Sequence, residues 1–134
     1  MTCIDNSQEI NYYSIKGPVI INVWASWCKV CKEELPYFVH LYANPIFKGG
    51  EVKLLGISVD EKNSESAINL IKSLNMSWPH LKDLDGRSKL IFGPGVPVTY
   101  FLDIRGEIVY KHLGAYLSKK KLYDDVEKYF KVKL

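Results

Sequence analysis

Cys28 and Cys31 stand three residues apart in Trp27-Cys28-Lys29-Val30-Cys31, and two thiols at that spacing can close a disulfide or resolve one formed with a partner. The thiolate is the nucleophile, so the setting that favours negative charge decides which sulfur reacts. Before the motif runs Val19-Ile20-Ile21-Asn22-Val23-Trp24, apolar and rich in β-branched residues, which reads as a strand buried on both faces. Behind it Cys31, Leu35, Phe38 and Tyr42 fall on one helical stripe. The cysteines thus sit where a buried strand feeds a helix N-terminus. Unpaired N–H groups and the helix dipole at the first turn ease the loss of a proton from Cys28. Cys31, one turn further on, is placed to attack a mixed disulfide at Cys28. Two unrelated core cysteines would need neither the strand before nor the helix after, and that context is what gives C-x-x-C its specificity.

The elements that must hold this pair follow from the same patterns. Residues 1–17 are polar up to Gly17-Pro18, with Ile10, Tyr12, Tyr13 and Ile15 able to pin a short edge segment. The cysteine helix is expected over 29–43, closed by Asn44-Pro45. Pro36 lies inside it and should kink it, because the apolar pattern continues through Phe38, Val39, Leu41 and Tyr42. A second strand, Val52 to Val59, is expected parallel to the first, since strand, helix, strand at this spacing is a crossover unit. A helix follows from about Ser64 to Leu74, then an apolar segment near His80 to Leu84 and one or two helical turns over 88–92. After Gly93-Pro94-Gly95-Val96-Pro97, the runs Val98 to Asp103 and Ile108 to Leu113 read as an antiparallel hairpin about Arg105-Gly106. The last helix begins at Ser118 as N-cap, with Leu117 and Leu122 at the spacing of a hydrophobic staple. The expected architecture is α/β, a mixed sheet flanked by helices, in a single domain over 1–134 with 1–16 as an N-terminal extension.

Bulk properties exclude several classes. At 134 residues, 47% hydrophobic and 25% charged, the chain can bury a core without staples and is neither disordered nor membrane-spanning in composition. Val19 to Val23 is too short to cross a bilayer. The net charge of +3 is spread over scattered lysines. Lys119-Lys120-Lys121 and the lysines from 128 to 133 read as the solvated face of a terminal helix, so no nucleic-acid partner is expected. Pairing Cys28 with Cys31 leaves Cys3 over, either a leftover thiol in a frayed terminus or the lipid-bearing residue of a trimmed lipoprotein. No leader of the secretory type precedes it, which leaves a cytosolic chain or one whose export segment has been removed. His40, His80 and His112 lie far from the motif in sequence and read as structural or solvated.

The stretch Asn22-Val-Trp24-Ala-Ser-Trp27-Cys28-x-x-Cys31-Lys-x-Glu34-x-Pro36 resembles the TlpA/ResA/CcmG (DsbE) branch of the thioredoxin superfamily, bacterial extracytoplasmic thiol–disulfide oxidoreductases. The resemblance runs from about Gly17 to Phe130. Gly95-Val96-Pro97-Val98-Thr99 is similar to the family's cis-proline loop, and the helix between the second strand and that loop resembles an insertion of this branch. A thioredoxin-like fold is implied. So is a cis Val96–Pro97 bond, with the Val96 backbone and Pro97 docking an extended substrate segment beside the cysteines. Trp24 and Trp27 match aromatic positions by the motif, Trp24 as packing and Trp27 as an exposed partner contact.

Thioredoxins carry a buried aspartate where this chain has Asn22, which cannot titrate. Spacing alone leaves Glu34 open between a solvated residue like Glu33 and a carboxyl beside Cys31; the resemblance implies the second. Such a carboxyl would have a raised pKa and could take the proton of Cys31 as it attacks. The implied activity is exchange with protein thiols and disulfides in the reducing direction, apocytochrome c among the substrates. A membrane thiol–disulfide reductase would supply electrons to a monomer tethered outside the cytoplasm, without cofactor or metal. Two other chemistries fit the fold less well. A copper carrier of the Sco type uses a wider cysteine spacing and a distal histidine. A peroxiredoxin-like peroxidase places Thr or Ser where Ala25 stands.

Overall fold

The computed structural model describes residues 1–4, 8–11, 14–83, 86, 89 and 95–134. In chain order its elements are β1 (Thr2–Cys3), β2 (Val19–Trp24), α1 (Lys29–Tyr42), α2 (Pro45–Lys48), β3 (Lys53–Val59), α3 (Ser64–Leu74), β4 (His80–Asp83), β5 (Val98–Leu102), β6 (Ile108–Leu113) and α4 (Lys119–Phe130). Six strands form one sheet in the order β1-β4-β3-β2-β5-β6. β2 pairs in parallel with β3 and antiparallel with β5, while β5 and β6 form the antiparallel hairpin. All six residues of β2 and all five of β5 are buried, as continuous apolar runs in central strands should be.

In-register neighbours point to the same face, so Ile20, Asn22 and Trp24 of β2 share a face with Gly56 and Ser58 of β3, His80 of β4, and Thr99 and Phe101 of β5. α1 lies on that face between α3 and α4. It buries Cys31, Glu34, Leu35, Phe38 and Leu41, and each fully buried apolar side chain of this kind is worth about 1.5–3 kcal/mol. α4 adds Leu122 and Val126, with Phe130 stacked on Phe101 at 5.3 Å between centroids. The opposite face is buried too, at Ile21, Ile57 and Tyr100. The helical turns expected over 88–92 lie outside the described residues apart from Lys89.

α1 runs unbroken through Pro36, because the apolar stripe on both sides of the proline outweighs one missing N–H. Ser118 caps α4 as its spacing implies, its Oγ accepting from the Lys121 N–H at 3.1 Å. The staple does not form: Leu122 is fully buried, but Leu117 is 89% exposed. Three elements escaped the sequence reading. β4 covers His80–Asp83 of the apolar segment, α2 is a single short turn capped by Asn44, and β1 pairs with β4 at the sheet edge. Cys3 therefore sits in an edge strand, not in a frayed terminus, held by Gln8, whose carbonyl accepts from the Cys3 N–H.

His80 is the one described histidine locked in the core. Its ring lies against Gly56, where an added Cβ would meet both the imidazole and the Trp24 indole. Nε2–H donates to the Met76 carbonyl at 3.1 Å. Burial pushes its pKa down to about 4, against the smaller upward pull of that hydrogen bond. The unfolded chain takes a proton near pH 6.5 while the native one refuses it down to about 4. This group therefore withdraws about 3 kcal/mol of stability as pH falls through that window. Denaturant unfolding at pH 7 and pH 4.5 is expected to show His80→Gln gaining stability on wild type by about 3 kcal/mol between the two, because the difference between the proteins isolates this group.

Candidate active site

β2 ends at Trp24, and the next four residues turn the chain into α1, the Cys28 N–H donating to the Ala25 carbonyl at 3.2 Å. Cys28 is the N-cap of α1. Its Sγ accepts from the Cys31 N–H at 3.2 Å, the place an Asp or Ser oxygen takes in other helices. The two cysteines are joined as a disulfide, with Cα atoms 5.3 Å apart. Cys31 is wholly buried and Cys28 is 6% exposed, so only the N-terminal sulfur borders the surface. A thiolate released at Cys28 would keep the Cys31 N–H and the helix dipole as partners, both of which favour the ionised form.

Trp27 is 58% exposed and Val30 is 45% exposed, an apolar rim on either side of Cys28. The Trp27 indole N–H donates to the Asp60 carbonyl at 3.0 Å. Trp24, by contrast, is fully buried in the core. The Val96–Pro97 bond is cis, as is Gly17–Pro18. Because Val98 pairs with Val23, the register carries Pro97 to the level of Trp24, the last residue of β2, and Val96 to that of Ala25, where the cysteine turn begins. Pro97 is buried and Val96 half-buried. The Pro97 carbonyl accepts from the Gly114 N–H at 3.0 Å, which ties this loop to the end of β6.

Glu34 is not a surface residue. It is fully buried one turn after Cys31, with Oε2 accepting from Asn22 Nδ2 at 3.1 Å and Oε1 from the Tyr116 N–H at 2.9 Å. The Asn22 amide also donates to Thr99 Oγ at 3.1 Å, and its own Oδ1 is buried without a partner. Burial raises the Glu34 carboxyl to about 7, against the two hydrogen bonds, which favour the charged form. The geometry brings the two cysteines and Glu34 onto one helix, with Trp27 at the rim and the Val96–Pro97 loop at the end of the adjacent strand.

Three participants were not foreseen. Thr99 was visible as a polar residue inside a buried strand paired with Asn22. Tyr116 contributes a backbone N–H, which no side-chain pattern reports; its phenol donates to Asp125 at 2.8 Å and its ring stacks on His112 at 3.8 Å. Glu61, just after β3, accepts from Ser26 next to the motif, a contact that depends on two parallel strands ending side by side. Of the other histidines, His40 is exposed and meets the Tyr123 hydroxyl at 2.6 Å.

A family model described as the AhpC/TSA family matches residues 2–111, which takes in both cysteines, Glu34, Pro97 and every strand but the last two residues of β6. The chain is 32% identical over 113 residues to the thiol-disulfide oxidoreductase ResA of Bacillus cereus (strain ZK / E33L), covering 80% of this chain and 61% of that protein. It is 34% identical over 110 residues to the thiol:disulfide interchange protein DsbE of Pasteurella multocida (strain Pm70), covering 81% and 56%. The chain thus spans little more than half the length of these curated relatives. Among solved structures, a secreted Mycobacterium tuberculosis disulfide oxidoreductase homologous to DsbE of E. coli superposes with TM-score 0.79 at 20% identity, over 95% of this chain and 92% of that one. StoA from Bacillus subtilis superposes with TM-score 0.67 at 27% identity, over 78% of each chain. The chain belongs to the AhpC/TSA family, with ResA and DsbE proteins as its sequence relatives and a thioredoxin-like fold.

Proposed function

We propose that this protein is a thiol–disulfide oxidoreductase that reduces disulfides in other proteins. The observation that carries the reading is the disulfide itself: a rim sulfur that caps a helix, bonded to a partner sulfur wholly out of reach of solvent. In the reduced protein the Cys28 thiolate attacks a partner disulfide, forming a mixed disulfide and releasing one partner thiolate, which takes up a proton. Cys31 then gives its proton to the Glu34 carboxylate and attacks Cys28 Sγ. The second partner sulfur leaves as thiolate, so two electrons pass to the partner and the Cys28–Cys31 disulfide remains. Trp27, the Val96 backbone and Pro97 line the place where an extended partner segment would lie against the sulfurs.

The relatives named ResA and DsbE, the motif around Cys28, and structural neighbours described as secreted and as an exposed lipoprotein support an extracytoplasmic site of action. No helix among the described residues is long and apolar enough to cross a membrane. By the motif's resemblance, the substrates are haem-binding cysteine pairs of apocytochrome c and the electron donor is a membrane thiol–disulfide reductase. The test is the Cys28–Cys31 reduction potential, read by Trp24 and Trp27 fluorescence in thiol/disulfide buffers. A value at or below about −230 mV fits a reductase, and one near about −120 mV overturns the reducing direction in favour of disulfide donation.

A further inference from the structure

β2 and β3 run parallel with Trp24 opposite Ser58, so the turn that carries the cysteines and the loop that follows β3 leave the sheet side by side. Two consecutive residues of that loop grip the two central residues of the turn. Glu61 Oε1 accepts from the Ser26 N–H at 2.8 Å and from the Ser26 hydroxyl at 2.6 Å, with Oε2 at 3.3 Å from the same N–H. The Asp60 carbonyl accepts from the Trp27 indole at 3.0 Å. Asp60 holds a left-handed backbone, φ 52°, a conformation that a non-glycine residue keeps only where its surroundings fix it.

Packing holds the two ends of the turn, Ala25 and Cys28, both buried, but not its middle. Trp27 is mostly exposed, and a cavity of about 550 Å³ lies between Ser26, Trp27 and the loop residues Asp60, Lys62 and Asn63. The bonds from Glu61 and Asp60 therefore restrain the middle of the segment between β2 and the N-cap of α1, at Ser26 and Trp27. Cys28 is the last residue of that segment. Exchange requires the attacking sulfur, the attacked sulfur and the leaving sulfur to line up, so a small displacement of Cys28 costs rate without altering its chemistry.

We propose that Glu61 is a positioning residue of the exchange reaction: by fixing Ser26 it sets where the Cys28 sulfur stands when a partner disulfide arrives. The proposal rests on the exchange activity proposed above. The carboxylate also brings a negative charge near the motif, and the two effects separate by substitution, because the Glu61→Gln amide oxygen can still accept from both Ser26 donors while its charge is gone.

The test compares reduced wild type, Glu61→Ala and Glu61→Gln in two reactions, exchange with a small aromatic disulfide and alkylation by iodoacetamide across pH. Alkylation reports thiolate formation at Cys28 and needs no alignment of three sulfurs. Glu61→Ala is expected to slow exchange roughly tenfold at equal thiolate fraction, a cost of the size that misalignment brings, and Glu61→Gln to restore most of it. Equal losses in both variants, or a loss that follows the thiolate pKa alone, would assign the effect to charge and overturn the proposal; so would exchange at the wild-type rate in Glu61→Ala. Hydrogen exchange at the Ser26 amide gives a readout independent of activity, expected to speed up in Glu61→Ala and to stay protected in Glu61→Gln. Unchanged protection in Glu61→Ala refutes the clamp. Wild type that alkylates but does not exchange refutes the oxidoreductase reading instead.

Discussion

Reduced Cys31→Ser, mixed with a protein carrying an accessible disulfide, is expected to accumulate a covalent adduct through Cys28 that survives a non-reducing gel and disappears with dithiothreitol. Reduced Cys28→Ser is expected to form none. The asymmetry follows from the geometry. Cys28 borders the surface and caps α1, so its thiolate is met by the Cys31 N–H and the helix dipole, whereas Cys31 is wholly buried and bonded to Cys28. Once Cys28 has attacked, the mixed disulfide can be cleared from inside only by Cys31, and serine cannot do it because a hydroxyl is a weak nucleophile at its ordinary pKa. Turnover should fall by roughly 10³-fold or more in either variant, the scale on which loss of one member of a catalytic unit acts. An adduct trapped by Cys28→Ser and not by Cys31→Ser would exchange the two roles. Adducts with neither would leave the pair as a structural disulfide.

Legibility in the sequence tracked the range of the forces involved. β2 and α1 were readable because each is specified within its own residues, one by an unbroken β-branched run and the other by a stripe at helical spacing. The same holds for the Ser118 cap. β1 and β4 were not, since strands of two and four residues hold too few side chains to show an alternation, and they exist because β3 offers an edge for β4 to pair with. The failed staple at Leu117 shows the converse: correct local spacing without a partner surface forms no contact. For the site, the cysteines and the proline loop were legible as motifs. The environment of Glu34 was not fixed by its neighbours in sequence, because it is made by Asn22 across the sheet face and by the N–H of Tyr116, 82 residues away. Glu61 reaches Ser26 from 35 residues away, so its part in the site emerges only when two strands are laid parallel.

Replacing Glu34 by glutamine should move activity and stability in opposite directions above neutral pH. Burial lifts this carboxyl from 4.5 to about 7, so between those values the native protein holds a proton that the unfolded chain has released. Stability from this group is full below pH 4.5 and is lost as pH rises, reaching a cost of about 3 kcal/mol above pH 7. The variant never bears that charge. Its side-chain N–H would face the Asn22 amide, but Asn22 Oδ1 is buried and unpartnered, and turning that amide lets it accept. A gain of about 1–3 kcal/mol at pH 8 is expected in urea unfolding, shrinking toward pH 5. Because His80 loses stability on acidification over nearly the same range in which Glu34 gains it, the wild-type sum of these two groups is nearly level, and Glu34→Gln should expose the His80 slope. In catalysis the ionised carboxyl is the form that can accept the Cys31 proton, so wild-type resolution of the mixed disulfide should rise with pH through about 7. Glu34→Gln should lose that inflection and about 10²-fold in rate at pH 8, the lower end of what a positioned base supplies. A residue that served only packing would lose stability and rate together, and an unchanged pH–rate profile would remove Glu34 from the proton path.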